Sequence, residues 1–144
     1  NGESEDFAYL CGKLDENLDE LVGKKFQRQQ YFKFNTRESI HDVIVIYDGS
    51  RPIGCGGYKR YDEQTMEIKR VYLEKEYRGQ GLSKELMRRL EARAKIAGYN
   101  YAVLETGKPL ETAMKLYEAI GYRIVPNYGP YVDMPNSICM EKKL

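Results

Sequence analysis

Residues 67–98 read as strand, tight glycine turn and long helix in immediate succession, and that order leaves few folds open. Val71, Tyr72 and Leu73 are β-branched, aromatic and aliphatic neighbours with strand character. Gly79 and Gly81 flank Gln80 at the turn. From there apolar residues return at Leu82, Leu86, Leu90, Ala94 and Ala97, a spacing that keeps them on one helix face, and Gly98 stops the helix. Such a turn leaves several backbone N–H groups unpaired at a helix start. With the positive end of the helix dipole they attract an anion such as a diphosphate. Glycines let the anion approach with no Cβ in the way, and Arg78 adds a charged donor. A two-glycine turn alone also reads as a turn and nothing more.

The rest of the chain supplies the scaffold. Phe7, Leu10, Leu14, Leu18 and Leu21 recur at three and four residues, an amphipathic helix capped by Ser4 and stopped by Gly23. Val43–Tyr47 is a β-branched run closed by Asp48-Gly49, a hairpin signal, and Ile53–Arg60 returns. Met66–Leu73 completes a three-stranded meander. Asn100–Glu105 is short and apolar, as a buried parallel strand is, and Glu111–Ile120 is a short helix stopped by Gly121. Tyr122–Val125 and Ser137–Glu141 read as a final antiparallel pair. The expected class is therefore α/β (α+β), with a mixed central sheet: antiparallel meander, strand–helix–strand–helix, then a C-terminal antiparallel pair.

At 144 residues the chain is expected to be a single domain, 1–144. A net charge of +1 gives no strong pull toward nucleic acid or membrane. No apolar run approaches a membrane span, and neither a span nor a signal peptide is expected. Cys11, Cys55 and Cys139 lack metal-type spacing and suit reduced thiols in a cytoplasmic protein, so neither a metal nor a disulfide framework is expected. Lys24–Thr36 alternates basic and aromatic residues. That pattern can stack on nucleic acid, but here it reads as a loop or short helix docking its rings on the core.

In its order of parts the chain resembles the GNAT superfamily of acyl-CoA-dependent N-acyltransferases. The parts are the strand, Arg78-Gly-Gln-Gly-Leu-Ser83, the amphipathic helix, the strand ending Leu104-Glu-Thr-Gly107, Leu116-Tyr117-Glu118, and Gly121-Tyr122. The likeness covers about residues 40–144. The family motif Gln/Arg-x-x-Gly-x-Gly/Ala is met in neither register: from Arg78 the last position is Ser83, and from Glu76 a Glu replaces Gln/Arg. The side chain of Glu76 is therefore expected to point away from the phosphates. Family members usually place a strand before the first helix, so the chain is expected to be trimmed upstream or to start late. The Asn that the family usually carries before the second crossover helix is replaced by Leu110.

The resemblance implies an acetyl-CoA-dependent N-acetyltransferase that moves an acetyl group to a primary amine. The acceptor, favoured as a small molecule, attacks directly in a ternary complex. The alternative is a non-catalytic acyl-CoA-binding or sensing module of the same fold. Acetyl-CoA is the implied co-substrate, held by Arg78, Gly79, Gln80, Gly81, Leu82 and Ser83, and along backbone groups of Val71, Tyr72 and Leu73 where that strand splays from the next. Tyr117 matches the place of the family's general acid, and Glu67, four residues before Val71, is the candidate base; otherwise Tyr117 packs its ring on the core and Glu67 forms a salt bridge to Lys69 or Arg70. Lys69 and Arg70 are adjacent charges, expected on opposite strand faces, with one of them meeting Glu67, Glu105 or an acidic group on the acceptor. Glu105, at a strand end, either borders the cleft or caps the next helix. Tyr128 and Tyr131, in the loop 126–136, are candidate walls of the acceptor pocket. Cys55 and His41 lack a partner motif and read as structural. The acceptor and the oligomeric state stay open, a homodimer included.

Overall fold

The structure, a computed structural model, describes residues 5–22, 40, 42–107 and 111–144. The expected cap at Ser4, the 24–36 segment, His41 and Leu110 lie outside the described residues. The elements run α1 (Glu5–Val22), β1 (Asp42–Asp48), β2 (Arg51–Arg60), β3 (Thr65–Leu73), α2 (Leu82–Ile96), β4 (Tyr101–Gly107), α3 (Glu111–Ala119), β5 (Arg123–Val125) and β6 (Ser137–Lys143). Two 3-10 turns, at Lys75–Tyr77 and Gly129–Tyr131, punctuate the loops.

One six-stranded sheet in the order β1-β2-β3-β4-β6-β5 organises the chain. The meander is antiparallel, with Asp48 opposite Arg51 across the Gly49-Ser50 turn. β3 and β4 are parallel, joined by the crossover through α2. The final antiparallel pair forms as expected, but β6 inserts between β4 and β5, so the last strand in sequence becomes interior.

Helices cover both faces. Leu86, Met87, Leu90 and Ala94 of α2 are buried against Met66, Ile68, Ala102, Leu104 and Met140. At about 1.5–3 kcal/mol per fully buried large aliphatic side chain, this stripe is a main source of stability. On the other face Phe7, Leu10 and Cys11 of α1 pack on Cys55 and Tyr72. The glycines of β2 permit this closeness: a Cβ on Gly57 would lie 2.6 Å from Ile40, and one on Gly56 3.0 Å from Leu90. The Gly54–Gly57 run is thus a packing device, and Cys55 within it is buried.

Two irregularities shape β3. Its ladder to β4 covers only Thr65–Glu67 against Tyr101–Val103. Beyond Val103, β4 stays paired with β6 as far as Gly107, so among the described residues β3 from Ile68 onward has no strand partner on that side. Against β2 the register slips: Gly57 faces Lys69 but Cys55 faces Tyr72, placing one extra residue in β3. Arg70 takes φ 60°, the left-handed conformation a bulge can require. The alternation expected for Lys69 and Arg70 consequently fails. Lys69 is paired across from Gly57 on the α1 side, and the bulge turns Arg70 to the same side, where it bonds α1. Val71 is reset to the α2 side, packed beside Leu86 and Leu90.

Candidate active site

The site begins at the N-terminus of α2. Gly79 and Gly81 have φ 81° and 82°, and a Cβ on either would meet nothing within 4 Å. No hydrogen bond to an acceptor among the described residues is made by the backbone N–H groups of residues 79–84; the first N–H of the helix to be satisfied is that of Glu85, on the Gly81 carbonyl. Six donors therefore stand without a protein acceptor among the described residues at a helix start, with open space where side chains at 79 and 81 would be, an arrangement suited to phosphate oxygens. Arg78 donates from Nε to the Leu73 carbonyl at 2.8 Å, which ties the turn to the end of β3. The Glu76 carboxylate is drawn to Arg51 Nη2 at 3.3 Å on β2. Leu82 and Ser83 open the helix.

Where β3 leaves β4, the edge of β3 from Ile68 to Leu73 is without a strand partner among the described residues. Tyr72 packs on the α1 side and donates its hydroxyl to Glu74 at 3.0 Å, so what Val71, Tyr72 and Leu73 present along the edge is backbone. Tyr117, on α3, packs partly buried on the α2-side core, edge-on to Tyr122 at 6.0 Å between ring centroids. Its hydroxyl makes no hydrogen bond among the described residues. Burial, helped by the negative charge of Glu105, pushes it up to about 12, so the hydroxyl stays protonated through the neutral range.

On the opposite side of the sheet lies a buried polar cluster. Glu67 forms the last β3–β4 pair, with Val103, and is 4% exposed. Its Oε2 accepts a hydrogen bond from the Tyr128 hydroxyl at 2.7 Å, and Lys59 and Lys69 stand 3.8 and 3.9 Å from its oxygens. Lys69 Nζ donates to the Tyr131 hydroxyl at 3.0 Å; burial lowers the Lys69 ammonium, and Glu67 opposes that shift. Glu105 accepts from Ser137 Oγ at 2.8 Å, and burial raises its carboxyl. Tyr131 is 1% exposed, beneath the surface of the cluster. Arg70 stands apart from this group: Nη2 donates to the Cys11 carbonyl at 3.0 Å and to Asp15 Oδ1 at 2.9 Å. The Cys55 thiol is held by Cys11 and by burial far above its usual range and donates to the Arg70 carbonyl at 3.4 Å, a poor setting for a nucleophile. Among the described residues no three His, Cys, Asp or Glu side chains converge as metal ligands.

Comparison with known proteins decides the family. The family model for the acetyltransferase (GNAT) family matches residues 8–122. The chain belongs to the GNAT acetyltransferase family. Over 136 residues the chain is 34% identical to an IAA acetyltransferase of Azospirillum brasilense, covering 94% of this chain and 88% of that protein. It is 33% identical over 100 residues to the uncharacterized N-acetyltransferase YsnE of Bacillus subtilis, 68% of this chain and 66% of that one. A Klebsiella pneumoniae structure described as an acyl-CoA N-acyltransferase superposes with TM-score 0.79 at 29% identity, covering 99% and 92% of the two chains. A GNAT acetyltransferase of Elizabethkingia anophelis, solved with acetyl-CoA bound, shares the fold at TM-score 0.64 and 21% identity, over 85% and 84% of the chains. The GNAT reaction class is acyl transfer, and this chain is an acyltransferase of that type.

Several residues of the site escaped the sequence. Lys59 was recoverable, since the meander register pairs it with Glu67. Asp15, Ser137 and Tyr61 were not: each lies 32 or more positions from its partner in the chain, and nothing local marks it.

Proposed function

We propose that the chain transfers the acetyl group of acetyl-CoA to a primary amine on a small acceptor, which attacks directly while both are bound. The observation that carries this reading is the parting of β3 from β4 after Glu67, on the same strand that leads into a bare N–H cradle. The residues fit the co-substrate. The N–H groups of 79–84 and Arg78 suit its diphosphate, and the unpaired edge of β3 suits the amide-bearing arm that follows. The bound acetyl-CoA supplies the activated carbonyl and the thiolate leaving group.

The chain's own groups do the rest. Glu67 takes the proton that the amine nitrogen must lose, directly or through water. A backbone N–H of residues 71–73 faces the oxygen on which negative charge grows. Nitrogen bonds to the carbonyl carbon, the carbon–sulfur bond breaks, and the departing thiolate receives a hydrogen bond and then a proton from the Tyr117 hydroxyl. Because Tyr117 holds its proton more tightly than a thiol does, its main service is the hydrogen bond to sulfur as charge develops there. Thiol release from acetyl-CoA, followed with a thiol reagent across a panel of amino acids, polyamines and short peptides, tests the reading. Release is expected with at least one small amine. Tyr117→Phe is expected to keep acetyl-CoA affinity and to lower kcat by about 10²-fold. Tight acetyl-CoA binding with no release for any amine would instead make the chain an acyl-CoA sensor.

A further inference from the structure

The loop between β5 and β6 delivers Tyr128 to the centre of the polar cluster. Its hydroxyl donates to Glu67 Oε2 at 2.7 Å across 61 residues of sequence. The ring is held on two sides: Tyr61 meets it edge-on at 5.1 Å between centroids, Tyr131 at 5.6 Å. Tyr131 is fixed in turn by the Lys69 ammonium on its hydroxyl, and Asn127 Nδ2 donates to the Tyr131 and Met134 carbonyls at 3.1 and 3.2 Å, tying the loop to itself. This hydroxyl is a poor proton source, since burial and the negative charge of Glu67 hold it well above the ordinary tyrosine range. A donor that keeps its proton, aimed at a carboxyl oxygen, fixes that group's orientation.

We infer that Tyr128 is a positioning residue, its hydroxyl on Oε2 holding the Glu67 carboxyl group in one rotamer, with Oε1 on the Lys59 side. This rests on the reading of Glu67 as base, and it assigns the 126–136 loop a second task beyond lining a pocket. The charged and titratable groups around Glu67 are Lys59 on β2, Lys69 on β3, Glu105 on β4, Cys139 on β6, and Tyr128 and Tyr131 on the loop. Among the described residues Tyr128 makes the shortest polar contact to it, at 2.7 Å.

The test is thiol release by the full chain, with kcat and the KM for acetyl-CoA read separately. Tyr128→Phe removes one oxygen and keeps the ring. It is expected to lower kcat about 10-fold, the size of one lost hydrogen bond to a charged group, and to leave the KM for acetyl-CoA unchanged. Tyr61→Leu removes a ring that braces the loop and leaves the hydroxyl in place; its kcat should stay at the wild-type value. An unchanged kcat in Tyr128→Phe, an equal fall in Tyr61→Leu, or a Tyr128→Phe chain that does not fold overturns the inference. Each would assign the hydroxyl to general stability. The base reading fails separately, if Glu67→Gln releases thiol as fast as wild type.

Discussion

The bulge at Arg70 makes a prediction whose sign runs against ordinary experience. In a regular strand, alanine is better than glycine by about 0.5–1 kcal/mol, because glycine gives up more backbone freedom on folding. At position 70 the order should reverse. Both Arg70→Ala and Arg70→Gly lose the bonds to the Cys11 carbonyl and Asp15. Asp15 is 40% exposed and is rehydrated when its partner goes, so no buried charge is stranded. The shared loss is about 2–3 kcal/mol, the worth of a charge-assisted hydrogen bond plus the buried stem. The variants differ only in backbone. At φ 60° a Cβ costs about 1–2 kcal/mol, from which the unfolded-state penalty of glycine subtracts about 0.4–1. Glycine should win by about 0.5–1 kcal/mol. For 144 residues the unfolding entropy near Tm is about 0.3 kcal/mol per degree, so the shared loss is about 7–10 °C and the gap about 2–3 °C. Calorimetry on the two variants at neutral pH measures both. The bulge also sets which way Val71 faces, so coenzyme A affinity, read by titration calorimetry, should be retained better in Arg70→Gly. An alanine variant as stable as the glycine one would show that no left-handed residue is held there, and the reasoning from the bulge would be refuted.

Gly81→Val tests the cradle: no protein atom lies within 4 Å of the new Cβ, so the strain at φ 82° should cost only a few degrees of Tm. Coenzyme A affinity should fall at least 10-fold, and equal losses of both would argue against a phosphate site there. Asp42→Asn tests a pH-dependent brace. Although burial opposes it, hydrogen bonds from Arg93 Nε at 3.0 Å and from Tyr58 hold the Asp42 carboxyl below its usual value. A depressed carboxyl contributes stability above the unfolded-state value near 4, and that contribution is lost as pH falls through the folded-state value. The variant should lose about 1 kcal/mol at pH 7, and its deficit should shrink below pH 4; a deficit constant down to pH 3 would exclude this account.

The periodicities legible along the chain determined the element order, because each depends on neighbours three, four or two residues away: the 82–97 stripe, the meander and the Gly79-Gln80-Gly81 turn. The same local character made the N–H cradle readable, since helix-start donors lie within one turn of each other. Glu67 and Tyr117 became candidates through their place in the order of parts. The tertiary structure alone decided three further matters. The extra residue at Arg70 has no local signature, and it put Lys69 and Arg70 on one face, gave Arg70 to Asp15 and left Lys69 in the polar cluster. β6 entered between β4 and β5, bringing Ser137 to Glu105. Tyr128 came to Glu67 across 61 residues. Contacts of that separation are settled by which packed arrangement leaves the fewest buried polar groups unpaired, Arg70 Nε being one that stays so, and no window of sequence carries that condition.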